Sequence, residues 1–219
     1  MNPSLRGTLR LATAGLRALL VLTLVCGVLY PLAVTGIAQT LFHDKANGSK
    51  IKENGTVVGS ALIGQSFTLD TKDANGDPLP DPRWFQPRPS AASANVYNTR
   101  YSLVVSGASN LAADSEVLKD EVIARRAAIA DFNGVPRGEV PVDALTASGS
   151  GVDPHISPDY ADLQVNRVAR VNGLPPSAVR RLVDQHTDGR LAGFLGEPHV
   201  NVLQLNVAVR GLVAQQRGR

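Results

Sequence analysis

The pattern of apolar and polar positions divides this chain in two. From Ala18 to Phe42 the sequence reads ALLVLTLVCGVLYPLAVTGIAQTLF, 25 residues without a charge. As a helix this stretch covers roughly 37 Å, more than the ~30 Å hydrocarbon core of a bilayer. A tilt, or a kink at Pro31, absorbs the excess. A cleaved signal peptide is the competing reading, with Gly36-Ile37-Ala38 as a passable cleavage site. The apolar core of such a peptide runs only ~7–15 residues, and this run continues past the site. Length therefore favours an uncleaved transmembrane helix.

Beyond residue 42 the pattern becomes mixed. Residues 50–67 contain a strand pair, rich in β-branched residues with regularly placed glycines from Gly55 to Gly64. Residues 70–82 are rich in Asp, Gly and Pro and read as a loop. In the 84–90 segment Pro87 and Pro89 forbid a regular helix or a central strand. The adjacent Trp84 and Phe85 read as anchors holding that segment on a core. Residues 106–110 read as a tight turn.

Residues 114–132 have the clearest helical period, with Leu118, Val122, Ile129 and Phe132 inward. Asp114 or Ser115 caps the start, Gly134 ends it, and Arg125 and Arg126 lie on the solvated flank. Residues 140–145 suggest a short edge element, and 148–154 a loop. Ser157 is an N-cap and Pro158 a first helical residue, for a helix reaching about Val171 with Gly173 as its stop. A second helix runs from Ala178 to about His186. Residues 201–209 alternate Leu203, Leu205, Val207 and Val209 with polar or small residues, and read as a strand. The fold class is α+β: a single N-terminal transmembrane helix followed by one exported mixed α/β domain.

Charge adds a direction. The chain holds 22 Lys and Arg against 19 Asp and Glu. Arg6, Arg10 and Arg17 precede the first acid, Asp44, so residues 43–219 are neutral overall. The positive-inside rule counts these three arginines against Lys45, Lys50 and Lys52 just after the span, and the uncompensated Arg10 and Arg17 and the short tail favour a cytoplasmic N-terminus. The expected organisation is a short basic cytoplasmic tail over 1–17, the transmembrane helix over 18–42 and an extracytoplasmic domain over 43–219. A neutral body with 5% aromatics has neither the basic patch nor the stacking platforms of a nucleic-acid binder. The single cysteine, Cys26, excludes an internal disulfide.

The chemistry-bearing patterns are sparse. Gly-x-x-x-x-Gly-Lys-Ser/Thr does not occur, and the glycine-rich stretches at 106–110 and 148–151 lack the phosphate-reaching lysine. His43, His155, His186 and His199 are scattered, without metal-ligand spacing. Ser148 or Ser150, Asp153 and His155 could suggest a hydrolase. The first glycine of Gly-x-Ser-x-Gly is missing, however, and a structured turn fits better. Gln164 and Asn206 stand among apolar neighbours and bond either a ligand or the chain's own backbone. The residues alone describe an anchored, exported, non-catalytic domain, with accessory subunit, receptor and sensor ectodomain all open.

Ordered motifs narrow this. Tyr30-Pro31-Leu32-Ala33-Val34-Thr35-Gly36 closes the span. Gly59-Ser60-x-x-Ile63-Gly64-Gln65-x-Phe67, Trp84-Phe85-x-x-Arg88-Pro89-Ser90-Ala91, Tyr97-Asn98 and Ser106-Gly107-x-Ser109-Asn110 follow. Then come Val140-Pro141-x-Asp143-x-x-Thr146-x-Ser148-Gly149-Ser150-Gly151-x-Asp153-Pro154-x-Ile156-Ser157-Pro158 and Gln164-Val165-x-Arg167-Val168-Ala169. His186-Thr187-x-Gly189-Arg190 and Gly196-Glu197-Pro198-x-Val200-Asn201-Val202-Leu203-x-Leu205-Asn206 complete the series. Over nearly its whole length the chain resembles the C subunit of the bacterial Kdp potassium-transporting P-type ATPase.

The resemblance implies an accessory, non-enzymatic subunit of a high-affinity potassium uptake pump in the bacterial inner membrane. Its implied partners are a potassium-binding A subunit, an ATP-hydrolysing B subunit and a small F peptide. The family description is a catalytic chaperone that raises the ATP affinity of B, with ATP binding attributed to C itself. Any nucleotide positions would be Ser148, Gly149, Ser150, Gly151 and Gln164; no cofactor is expected to bind tightly. An external body cannot meet cytoplasmic ATP, so the preferred expectation is a cap over the outer mouth of the A subunit. The alternative is a membrane-anchored extracellular sensor or receptor domain unrelated to a pump.

Overall fold

The computed structural model describes residues 3–73, 76, 78–90, 94–95, 103–104 and 106–218. Ala91, Tyr97 and Asn98 of the motifs above, and parts of the 70–82 stretch, lie outside the described residues. The chain forms two compact units, Met1–Ser49 and Lys50–Arg219.

The first unit is mostly one continuous helix: α1 (Pro3–Leu24), a π-helical turn (Val25–Leu29) and α2 (Tyr30–Leu41), with the single turn α3 (His43–Ala46) after it. Its Arg6–Leu41 stretch is long and apolar enough to cross a membrane, consistent with a single-pass anchor. The π turn has an identifiable cause. Pro31 offers no N–H and its ring crowds the preceding turn. The backbone widens just before it, where the Tyr30 N–H reaches Val25 O, five residues back. The Thr13 and Thr40 hydroxyls donate to Leu9 O (2.7 Å) and Gly36 O (2.9 Å). That suits a solvent without water.

The second unit mixes small sheets with helices. β1 (Lys50–Glu53) pairs antiparallel with β2 (Thr56–Ser60), as the β-branched residues suggested. Asn54 and Gly55 make the turn with φ of 49° and 81°, a conformation that Asn-Gly adopts readily. The 70–82 stretch is not simply a loop. β3 (Thr68–Lys72) pairs with β4 (Pro78–Pro80); prolines are tolerated because a two-stranded ribbon is all edge. β5 (Ala94–Asn95) pairs with β6 (Leu103–Val104). Residues 106–110 are irregular chain rather than a tight turn, held by the Ser106 hydroxyl and the Gly107 N–H on Ser150 O.

α4 (Glu116–Asn133) starts on a Ser115 cap and stops at Gly134 with φ 69°. Arg126 is exposed, but Arg125 is half-buried and donates to Leu145 O and Glu121, which corrects its placement on the solvated flank. The expected edge element at 140–145 is instead one helical turn, α5 (Val142–Leu145), burying Ala144 and Leu145. β7 (His155–Ile156) precedes α6 (Pro158–Asn172), which Gly173 ends at φ 67°. α7 (Pro176–Gln185), β8 (Thr187–Asp188), β9 (His199–Asn201) and α8 (Val202–Arg217) complete the unit. β9 is the centre of a three-stranded antiparallel sheet in the order β7-β9-β8.

The strand expected over 201–209 is mostly helix. Asn201 ends β9 and caps α8 by accepting from Gln204 N (3.1 Å). Val202, Leu205, Asn206 and Val209 are buried, and Leu212 and Val213 pack on the core. That spacing is helical; the alternation from Leu203 to Val209 coincides with it over a short window. The core gathers α6, α7, α8 and β9 around Val165, Val168, Val179, Val200 and Leu205, all at 0% exposure.

Ser157 does more than cap α6. Its hydroxyl accepts from Tyr160 N (3.0 Å) and donates to Asp143 (2.8 Å), whose second oxygen takes the Ser157 N–H (2.9 Å). Ser157→Ala is expected to cost about 2 kcal/mol, one cap plus one charge-assisted bond. An unchanged urea midpoint for the full-length chain in detergent would show that the hydroxyl contributes nothing.

Candidate functional site

Prolines keep the 84–90 segment out of any helix or sheet, so its backbone groups need other partners. Two amides supply them. Asn206 on α8 accepts from Phe85 N (2.9 Å) and donates to Phe85 O (3.0 Å). Gln164 on α6 accepts from Gln86 N (2.7 Å) and donates to Gln86 O (3.2 Å). Each side-chain amide thus imitates a strand neighbour for one residue. Phe85, between the two helices, is fully buried, as expected of an anchor.

Arg167 completes this arrangement. Its guanidinium is 1% exposed and donates to Gln164 Oε1 (2.7 Å), Asn133 Oδ1 (2.9 Å), Pro82 O (2.6 Å) and Trp84 O (3.0 Å). It also lies 4.4 Å over the Phe132 ring. None of the four acceptors is a carboxylate. Burial lowers its pKa to about 10, so it stays charged at neutral pH. Nearby, Asp81 is almost fully buried and accepts four bonds from Arg83, one from its backbone N–H and three from its guanidinium. Burial alone would raise the Asp81 pKa; the Arg83 bonds outweigh it and hold the carboxyl below its ordinary value. Neither Arg167 nor Asp81 is legible in the sequence as a buried site residue, since neither type signals burial locally.

The 148–151 turn holds both stems around β5 and β6. Ser148 N donates to Pro89 O (2.9 Å), and the Ser90 hydroxyl donates to Gly151 O (2.5 Å). Ser150 O accepts from Gly107 N (2.9 Å) and from the Ser106 hydroxyl (2.7 Å). Ser148 and Gly151 are buried, whereas Gly149 and Ser150 are exposed. The turn and Gln164 are not brought together by any direct bond among the described residues. Gly64 presses against the chain beside this turn: a Cβ there would lie 2.6 Å from Asp153 O.

A cavity of about 800 Å³ opens beside β7 and β9, lined by Arg88, Asp143, Asp153, His155, Glu197 and His199, among others. Asp153 accepts from His155 N (3.0 Å) and lies 3.2 Å from His155 Nδ1. The Ser148 and Ser150 hydroxyls bond each other at 3.2 Å, and neither bonds His155, so the three residue types do not assemble as a hydrolytic triad. The His155 and His199 rings meet edge-to-face at 4.4 Å. Burial, then the His199 ring, lowers the His155 pKa against the pull of Asp153 and Asp188.

A base whose folded pKa is lowered binds its proton better when unfolded. His155 therefore removes stability as pH falls below its ordinary 6.5 towards its lowered folded value. The urea midpoint is expected to drop through that window, and His155→Gln to flatten the drop. A variant with an equally steep decline would remove His155 as the cause.

A long apolar helix followed by a mixed α/β body is the layout of a membrane-anchored protein. The chain matches the family model described as KdpC, K+-transporting ATPase, c chain, over residues 12–211. It is 56% identical to a potassium-transporting ATPase KdpC subunit of Streptomyces coelicolor, covering 100% of both chains. Similar subunits of Kineococcus radiotolerans and Caldanaerobacter subterraneus are 47% and 46% identical. These cover 96% and 87% of this chain, and 98% and 89% of the relatives. The chain belongs to the KdpC family. It is an accessory subunit of a potassium pump, and the free-standing sensor or receptor alternative falls away.

Proposed function

We propose that this subunit is non-catalytic and acts from the outer face of the membrane. Its tail, residues 1–17, lies in the cytoplasm, and its body, residues 43–219, lies outside. The observation that carries this reading is a short tail with Arg6, Arg10 and Arg17 and no acid, against Lys45, Lys50 and Lys52 accompanied by Asp44 and Glu53 after the span. ATP is used on the cytoplasmic face, so an external body meets the pump where the ion enters. There it caps the mouth of the potassium-binding A subunit, with the B subunit and the F peptide completing the complex. The span packs beside A. Gly27 and Gly36, lacking side chains, allow close helix approach.

The body binds no cofactor tightly. Of the positions first considered for a nucleotide, Gln164 is committed to Gln86 and Arg167. Ser148, Ser150 and Gly151 serve the clasp on residues 89–90 and 106–107. These commitments support an architectural role for them. A reporter fused after Arg219 tests the orientation: it is expected to be active only where export is required. Activity confined to the cytoplasm would overturn the external placement and reopen nucleotide contact.

A further inference from the structure

A second cavity, of about 1070 Å³, is walled by α4, β4, the proline segment and Tyr160 of α6. Pro78, Pro80, Pro87 and Pro89 line it with Ile129 and Phe132, so its walls are mostly apolar. Small-molecule sites are of this kind: concave, apolar, with a few polar groups that fix the ligand. Two polar groups in this wall lack partners. Tyr160 is only 3% exposed. Its backbone N–H is taken by Ser157, but its hydroxyl has no hydrogen-bond partner among the described residues. Nor is that oxygen sealed off, because Arg88 Nε is the only side-chain polar atom among the described residues that is both sealed and unbonded. The hydroxyl therefore opens on the cavity. Burial pushes its pKa up to about 12, over the opposing pull of Arg167, so it stays a neutral donor.

Arg88 is the other group. It reaches Asp153 at 3.5 Å and Thr146 at 3.3 and 3.4 Å, and its Nε has no partner. Well-made bonds from a guanidinium to a carboxylate run about 2.7–2.9 Å, so Arg88 is poorly satisfied by its own chain. These groups select the ligand. Both offer donors, and a guanidinium cannot accept, so the polar end of the ligand is an acceptor. Arg125, the other arginine in the wall, is spent on Glu121 (2.7 Å) and Leu145 O (3.2 Å). Asp153, the one acid lining the cavity among the described residues, also takes the His155 N–H (3.0 Å). One loosely paired guanidinium remains. It matches a single negative charge, not the several of a triphosphate.

We infer that this cavity binds a small organic acid, its single carboxylate held by Arg88 and the Tyr160 hydroxyl and its apolar body laid on the proline rings and Phe132. A carboxylate has oxygens enough to accept from both donors at once. The apolar body displaces water from proline and aromatic faces, which supplies the rest of the affinity. The assignment holds for either orientation of the chain in the membrane and does not rest on it.

The test uses the full-length chain in lipid nanodiscs, with empty nanodiscs subtracting any probe held by lipid. The probe is hydrocinnamate, a phenyl ring on a short chain ending in a carboxylate, followed by equilibrium dialysis. It is expected to bind saturably, one molecule per chain, with a Kd of about 1 mM or tighter. Hydrocinnamyl alcohol keeps the body and lacks the charge, and should bind about tenfold more weakly. No saturable binding of the acid, or equal binding of acid and alcohol, overturns the proposal. Displacement of the acid by an equal concentration of ATP would make the cavity a nucleotide site and overturns it too.

Two variants locate the carboxylate. Tyr160→Phe removes only the unpartnered hydroxyl. It should weaken the acid about tenfold and leave the urea midpoint unchanged, whereas a hydroxyl that serves the fold would lower the midpoint. Arg88→Gln should erase the preference for acid over alcohol, a ratio that a general loss of stability does not move. Wild-type affinity for the acid in Tyr160→Phe, or a retained preference in Arg88→Gln, overturns the assignment of these residues.

Discussion

Arg167→Met is expected to destabilise the body by about 4 kcal/mol, because it strips a buried donor from several acceptors at once. Methionine fills comparable volume, so the loss is polar rather than steric. Asn133 Oδ1 and Gln164 Oε1 lose a donor in buried bonds, and Pro82 O and Trp84 O lose one in part-buried bonds. Gln164 and Asn133 sit on α6 and α4, while Pro82 and Trp84 belong to the chain between β4 and the proline segment. One side chain therefore ties three parts of the fold. Arg167→Lys should recover only part of the loss, since an ammonium cannot span the guanidinium's fork. Urea unfolding of the full-length chain in detergent measures this. Trp84, the chain's one tryptophan, lies within the network and reports its loss. A loss below about 1 kcal/mol for Arg167→Met would mean that the four acceptors find other donors.

Gln164→Ala should cost nearly as much, about 3 kcal/mol, for a related reason. The Gln86 N–H and C=O lose their partners together, and one arm of Arg167 loses its acceptor. Asn206→Ala releases Phe85 in the same way. The two substitutions free neighbouring residues of one segment, so their effects should not add: once the segment detaches, the second amide has nothing left to hold. Additive losses would show two independent anchors. The double substitution also bears on nucleotide dependence in the assembled pump. A change in ATP response caused by Gln164→Ala should track the loss of stability, and Asn206→Ala should reproduce it. A response that Gln164→Ala abolishes at full stability, and Asn206→Ala leaves alone, would make Gln164 a ligand contact.

The features legible in the sequence are the local ones. An uncharged run of 25 residues declares a helix long and apolar enough to span a membrane. The caps at Ser115 and Ser157, and the stops at Gly134 and Gly173, follow from backbone groups that must be satisfied within a few residues. Trp84 and Phe85 announced an anchor because two aromatics ahead of two prolines have few other ways to be buried.

What escaped local reading depends on distant partners. The alternation over 201–209 suits a strand until Leu212 and Val213 extend the helical stripe onto the core. Arg125 looked solvated because the carbonyl it bonds belongs to α5, 20 residues away. Above all, the roles of Gln164 and Asn206 lie in residues 78 and 121 positions earlier. A side-chain amide has the same hydrogen-bonding groups whether it meets a ligand or its own chain. Only the tertiary fold, by laying the proline-broken segment across α6 and α8, decided that these amides stand in for the strand neighbours the prolines forbid.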